Sequence, residues 1–242
     1  MAIILNIETS TPVCSVVLAE NDNILASRES SEEKSHAGNL AIFIEEILNE
    51  RKISMQDLDA VAIGKGPGSY TGLRIGVATA KGLAYGAKKP LITVSTLETM
   101  VRFALHRINN DKLPVPCNEN TVFCPMVDAR RMEVYMALFD ASAKRIENDT
   151  AVVVRPDIFS WLPAKHSIVF FGSGASKCHE MVNRKNAYWI DGIYPSATAM
   201  AVESYRLYLE GRFEDIAYFE PHYLKEFLTT TARKNPLLRS VK

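Results

Sequence analysis

The sequence predicts an α/β protein whose two halves each open on consecutive strands followed by helices. Three features lead to that expectation. The apolar run Val61-Ala62-Ile63 meets a glycine-rich turn, Gly64-Lys65-Gly66-Pro67-Gly68-Ser69, and then a helical stretch to Gly86. That order reads as strand, turn, helix. Apolar strand candidates cluster at the start of the chain and again after residue 120. Between them, residues 107–120 are polar, contain Pro114 and Pro116, and read as a linker.

Taken in order, Ile3–Ile7 and Val13–Leu18 are strand candidates, the Glu20–Asn23 cluster is a turn, and Ile24–Ser27 continues a meander. Ser30 with Glu33 three residues later has the pattern of a capping box. Leu40, Phe43, Ile44, Ile47 and Leu48 repeat at helical spacing and predict a helix over 32–50. Strand 61–64, helix 71–86, strand Leu91–Val94 and a helix from Thr96 to Leu105 complete the first half. The second half offers strands at Val122–Val127, Glu133–Phe139, Ala151–Arg155 and Ile168–Phe171, the last running into Gly172-Ser173-Gly174. Thr198–Leu209 is helical by spacing. The expected organisation is a first lobe over 1–106, completed by a helix near 198–220. A linker at 107–120, a smaller second lobe at 121–197 and a tail at 221–242 follow.

Composition narrows the function classes. The chain has 242 residues, 47% of them apolar, enough for one large domain or two small ones. Its 28 basic and 28 acidic residues balance, which argues against a protein that only binds nucleic acid. The tail is the exception: Arg233, Lys234, Arg239 and Lys242 stand there without an acid. It reads as a solvated terminus or as a contact for a partner or RNA. Cys14, Cys117, Cys124 and Cys178 are scattered, without the C-x-x-C spacing of a zinc or dithiol site. Dispersed thiols, no signal-peptide pattern and no apolar run near 20 residues lead to the expectation of a cytoplasmic, soluble protein.

The glycine turn fails both nucleotide fingerprints. No Gly-Lys-Ser/Thr closes it, and Gly72 falls one residue late for the dinucleotide pattern set by Gly66 and Gly68. A phosphate contact through the backbone of Gly66, Gly68 and Ser69 stays open. The helix behind it carries Gly72, Gly76 and Gly82, each costing about 1 kcal/mol relative to Ala. Gly72, Gly76, Ala80 and Ala84 form a stripe without bulky side chains, which lets another element approach closely. That element is either this domain's own sheet or a helix of a second protein. On the second reading, Leu at Gly76 or Ala80 breaks association.

Residues 66–84, Gly-Pro-Gly-Ser-Tyr-Thr-Gly-Leu-Arg-Ile-Gly-Val-Ala-Thr-Ala-Lys-Gly-Leu-Ala, closely resemble the signature of the bacterial TsaB (YeaZ) family. Ile4–Thr11 resembles that family's first strand and turn, Val127–Tyr135 the start of its second half, and Tyr223-Leu224-Lys225 its terminal element. The resemblance implies an actin/Hsp70/sugar-kinase-like (ASKHA, ribonuclease H-like) fold with two lobes. It implies a non-catalytic role in forming N6-threonylcarbamoyladenosine at position 37 of tRNAs that read ANN codons. The implied partners are a TsaD-like paralogue, which performs the transfer, and a TsaE-like ATPase. A TsaC-like enzyme acts upstream, tRNA is met indirectly, a homodimer is an alternative, and no cofactor or membrane is implied. Pairing with the paralogue is implied to use the helices at 32–50 and 71–86. The interface candidates are therefore Leu40, Phe43, Ile47, Gly72, Gly76, Ala80 and Ala84. The paralogue's metal-binding His pair aligns with Thr96 and Met100, neither of which offers an imidazole, so that metal site is expected to be absent. Active sugar kinases of this fold favour Asp-x-Gly-Thr where this chain has Glu8-Thr9-Ser10-Thr11, and Ser10 weakens the case for ATP.

Two rival functions remain on the residues alone. One is a nucleotide-dependent enzyme using the glycine turn, which calorimetry with ATP and Mg²⁺ would expose. The other is a glycoprotease-like peptidase, disfavoured because neither Gly-x-Ser-x-Gly nor His-Glu-x-x-His occurs. Asp128 with Arg130-Arg131 reads as a hairpin turn or as a contact for a phosphate or acidic partner.

Overall fold

Two five-stranded sheets repeat one connectivity in the computed structural model, which describes residues 1–31 and 36–225. The first holds β1 (Ile3–Glu8), β2 (Cys14–Glu20), β3 (Asn23–Ser30), β4 (Ala60–Gly64) and β5 (Leu91–Val94) in the order β3-β2-β1-β4-β5. The second holds β6 (Thr121–Asp128), β7 (Glu133–Phe139), β8 (Arg145–Val153), β9 (Ser167–Phe171) and β10 (Ala187–Ile190) in the order β8-β7-β6-β9-β10. In each, the first three strands form an antiparallel meander, the fourth pairs in parallel with the first, and the fifth pairs in parallel with the fourth. The two related halves suggested by the strand order are thus one topology used twice.

Both sheets are covered on both faces, so their central strands are apolar on both sides rather than alternating. On β1, Leu5 and Ile7 face the core under α1 (His36–Arg51) and α2 (Tyr70–Ala87), while Ile4 faces α5 (Ala197–Leu209). The second sheet presents Phe123, Val127, Phe139 and Phe171 to α3 (Thr96–Asp111). Its other face carries Cys124, Met126, Leu138 and Phe170, packed on Phe159, Leu162 and the short α4 (Ala175–His179).

Several elements differ from expectation. α3 runs to Asp111, five residues into the expected linker, because Ile108 extends the buried stripe of Leu97, Val101 and Ala104. An Arg107–Asp111 pair at 2.7 Å satisfies its polar side, and Lys112 at φ 51° ends it. Although it precedes that linker, α3 packs on the second sheet. β8 starts at Arg145 rather than at 151, and β10 and α4 were not anticipated. Ser30 is the last residue of β3, and the expected capping box with Glu33 falls outside the described residues. So does the basic tail. Trp189 stacks on Phe170 with ring centroids 4.5 Å apart, as a core aromatic, whereas Trp161 is exposed.

The segment 213–225 crosses from the first sheet to the second. Glu214 donates its N–H to the Leu91 carbonyl at 2.8 Å and accepts from the Thr93 hydroxyl at 2.6 Å. Ile216 and Phe219 pack on the first core, and Lys81 holds the Phe219 carbonyl at 3.0 Å. His222 donates its N–H to the Lys65 carbonyl in the glycine turn at 2.8 Å. Lys225 reaches the Ala129 carbonyl beyond β6 at 3.2 Å. Among the described residues no helix is long and apolar enough to cross a membrane.

Candidate functional site

Open parallel sheets place ligands beyond the carboxyl ends of their strands. In the first half that region is the turn after β1 and the glycine turn after β4. Both are filled by the chain itself. Glu8, Thr9 and Ser10 are fully buried. The Ser10 carbonyl accepts the Ser69 N–H at 2.6 Å, and a Cβ on Gly68 would fall well inside contact distance of that carbonyl. The glycine at 68 therefore admits the chain's own Ser10 backbone. Ser69 is committed as well: its side chain caps α2 by accepting the Gly72 N–H at 3.3 Å. Gly66 sits against Leu73 and the His222 carbonyl. Gly66, Gly68 and Ser69 thus come together around protein atoms.

Glu8 is the one fully buried carboxyl at this place among the described residues. Its Oε1 accepts the Ser10 N–H at 2.8 Å and its Oε2 accepts from the Thr96 hydroxyl at 3.2 Å. The carboxyl lies directly over Gly64, where any Cβ would overlap it. Burial pushes its pKa up, and the Ser10 and Thr96 hydrogen bonds pull it back only in part. A folded-state pKa above the unfolded value means a contribution fully present below the ordinary carboxylate range and lost as pH rises through the folded pKa. Glu8→Gln removes the charge; like the protonated acid it keeps one carbonyl acceptor for the Ser10 N–H, while its NH2 donates to the Thr96 hydroxyl oxygen instead of accepting from it. Its Tm is expected to match wild type in acid and to exceed it increasingly toward neutral pH. Parallel Tm–pH curves would contradict the buried-acid account.

Thr96 and Met100, at the positions aligned with the paralogue's His pair, are built into the interior. Thr96 bonds Glu8, and Met100 is fully buried in the core under the second sheet with its Cε against Gly172. Among the described residues no three His, Cys, Asp or Glu side chains gather as metal ligands.

The small-residue stripe faces inward. Ala80 and Ala84 are fully buried in the first core, as are Leu40 and Ile47 of α1. A Cβ on Gly76 would overlap the Thr9 hydroxyl oxygen and lie 3.1 Å from Ile63 Cδ1. Gly72 is buried and its carbonyl accepts from that same Thr9 hydroxyl at 2.9 Å. Six of the seven interface candidates, Leu40, Ile47, Gly72, Gly76, Ala80 and Ala84, therefore serve this domain's own packing. Phe43 is half-buried at the edge of that core. The physical reason lies in their neighbours: Leu73 and Val77 share the phase of Gly72 and Gly76, and such bulky apolar residues mark the sheet-facing side.

The opposite face of α2 carries a second small-residue stripe. Ala78, Gly82 and Gly86 are exposed at four-residue spacing, beside Ile75, Thr79 and Leu83. A Cβ on Gly82 or Gly86 would meet nothing within 4 Å among the described residues, whose packing therefore does not require glycine there. Next to this stripe a groove of about 390 Å³ runs between α1 and α2, lined by Ala41, Ile44, Leu48, Ile53, Met55 and Leu83. Elsewhere on the two helices, Ile42 of α1 is 51% exposed and Tyr85 of α2 is 78% exposed. The spacing 78, 82, 86 was visible in the sequence. What was missing was the phase that separates an inward stripe from an outward one.

Comparison with known proteins decides the family. A family model described as TsaD, tRNA N6-adenosine threonylcarbamoyltransferase, matches residues 23–160. A relative from Escherichia coli (strain K12), named tRNA threonylcarbamoyladenosine biosynthesis protein TsaB, is 32% identical over 92% of this chain and 94% of its own length. The chain belongs to the TsaB (YeaZ) family. The same-named protein of Bacillus subtilis (strain 168) is 30% identical over 74% of each chain. A solved structure described as YeaZ from Pseudomonas aeruginosa superposes with a TM-score of 0.74 at 25% identity, over 93% of this chain and all of that one. The TsaB-family chain has the two-lobed actin/Hsp70/sugar-kinase-like fold. Within it, Ser10 fills the turn at Gly68, and α2 carries an exposed glycine face.

Proposed function

We propose that the chain is a non-catalytic partner of a TsaD-type transferase in forming N6-threonylcarbamoyladenosine at position 37 of tRNAs reading ANN codons. Relatives that carry the name of this tRNA modification supply the pathway. The observation that carries the non-catalytic role is the Ser10–Gly68 contact, which occupies with backbone the space a nucleotide phosphate would need. Thr96 and Met100 add to it, because both are spent on internal contacts.

The docking surface is the outward face of α2 with the α1–α2 groove. Two exposed glycines inside a helix cost about 1 kcal/mol each relative to Ala. Among the described residues nothing offsets that at Gly82 or Gly86. A partner helix packed at the usual 8–10 Å would offset it through close backbone contact. Apolar side chains at the groove complete a surface of the helix-in-groove kind. A TsaE-like ATPase joins the pair, a TsaC-like enzyme supplies the activated group, and a second copy of the chain is the alternative occupant of the same face. Reconstituted modification of unmodified tRNA, with and without the chain, tests the role.

A further inference from the structure

We propose that the tip of the β6–β7 hairpin is a tRNA-backbone contact in which Arg130 and Arg131 bind phosphates; this rests on the reading above that the chain works on tRNA with a transferase. Both arginines take left-handed backbone conformations, at φ 67° and 51°. That region costs a non-glycine residue about 1–2 kcal/mol, and Asn or Gly is the usual occupant. The tight turn joining β6 to β7 calls for left-handed residues and holds both arginines at its tip. The equivalent turn of the first half, after β1, is buried under the glycine turn.

The neighbouring acids are already taken. Asp128 accepts the Arg130 N–H at 2.6 Å and pairs with Lys177 at 2.7 Å. Glu133 pairs with Lys225. Neither Arg130 nor Arg131 forms an ion pair among the described residues, and both are exposed. Two uncompensated guanidinium forks suit bidentate contact with phosphate oxygens. A pair of exposed guanidinium groups suits the phosphate backbone of RNA, the macromolecule that the functional reading supplies. With 28 basic and 28 acidic residues overall, the chain has no general positive coat that would account for this patch.

The test is the double variant Arg130→Asn with Arg131→Gly, residues that tolerate the left-handed region and so preserve the turn. The chain–transferase pair, wild type and variant, is titrated with unmodified tRNA over a salt series, and association of the pair is measured separately. The expected result is several-fold weaker tRNA binding and a log K against log salt slope shallower by about 1.4, with association unchanged. Wild-type affinity and slope in the variant overturn the contact. Loss of association in parallel also overturns it, by making the tip a protein interface. A wild-type pair that binds no tRNA overturns this inference together with the functional reading, whereas an unchanged variant overturns this inference alone.

Discussion

Gly82→Leu is expected to weaken association with a TsaD-type transferase while leaving the chain more stable than wild type. Gly82 is exposed in the middle of α2 and has no neighbour within 4 Å of its absent Cβ. In the free protein, Leu there gains helix propensity, worth up to about 1 kcal/mol. In a complex whose helices meet at 8–10 Å, the same side chain occupies space the partner needs. Overpacking of a close contact costs about 1–3 kcal/mol, which is about 5- to 150-fold in Kd. The opposite signs are the useful part. A variant that merely misfolds loses Tm and binding together, whereas a blocked docking face loses binding as Tm holds or rises. Titration calorimetry alongside a thermal melt reads both. Unchanged affinity would remove α2 from the interface. The corresponding substitution at Gly76 or Ala80 cannot serve, because those positions face Thr9, Ile63 and the first core.

Gly68→Ala is expected to destabilise the ligand-free chain by about 3 kcal/mol or more, lowering Tm by roughly 6–12 °C. The added methyl group meets the Ser10 carbonyl, a backbone atom in a fully buried turn that cannot rotate aside. This separates two reasons for a glycine. One kept so that a phosphate can approach leaves space when no ligand is bound, and Ala there is tolerated in the free protein. One kept so that the chain can fill its own cleft leaves none. A thermal melt of the free variant with Tm within a degree or two of wild type would show that the turn is looser than the Ser10–Gly68 contact requires.

Much of the fold was legible because the relevant signals are local. β1, β4, β5, β7 and β9 are short apolar runs bounded by turns, and their expected ranges match the observed ones closely. α2 announces itself by its glycine turn and Ser69 cap. The discrepancies arise where tertiary packing overrides local composition. α3 enters a polar segment because one residue, Ile108, still reaches the second core. β8 is an edge strand whose Glu147, Asn148 and Thr150 carry no apolar period, so its pairing with β7 defines it. β10 is four residues whose strand character comes from β9 alongside.

The site divides in the same way. That the glycine turn is unlike a nucleotide loop follows from spacing alone. That Gly68 serves Ser10 needs the two turns to be brought together from positions 58 residues apart, and no local pattern encodes that. The orientation of the α2 stripe could have been inferred from Leu73 and Val77. Arg130 and Arg131 read either as a hairpin turn or as a phosphate or acidic-partner contact; the structure shows the hairpin and pairs Asp128 and Glu133 with lysines, which no local pattern encodes.

Reconstitution of the modification tests the central claim most directly. Unmodified tRNA is incubated with threonylcarbamoyl adenylate and a TsaE-type ATPase, together with the transferase, this chain, or both, and threonylcarbamoyladenosine is quantified. The account predicts no product from the chain alone, little from the transferase alone, and full modification from the pair. Product made by the chain without the transferase, or equal product from the transferase without the chain, would contradict it.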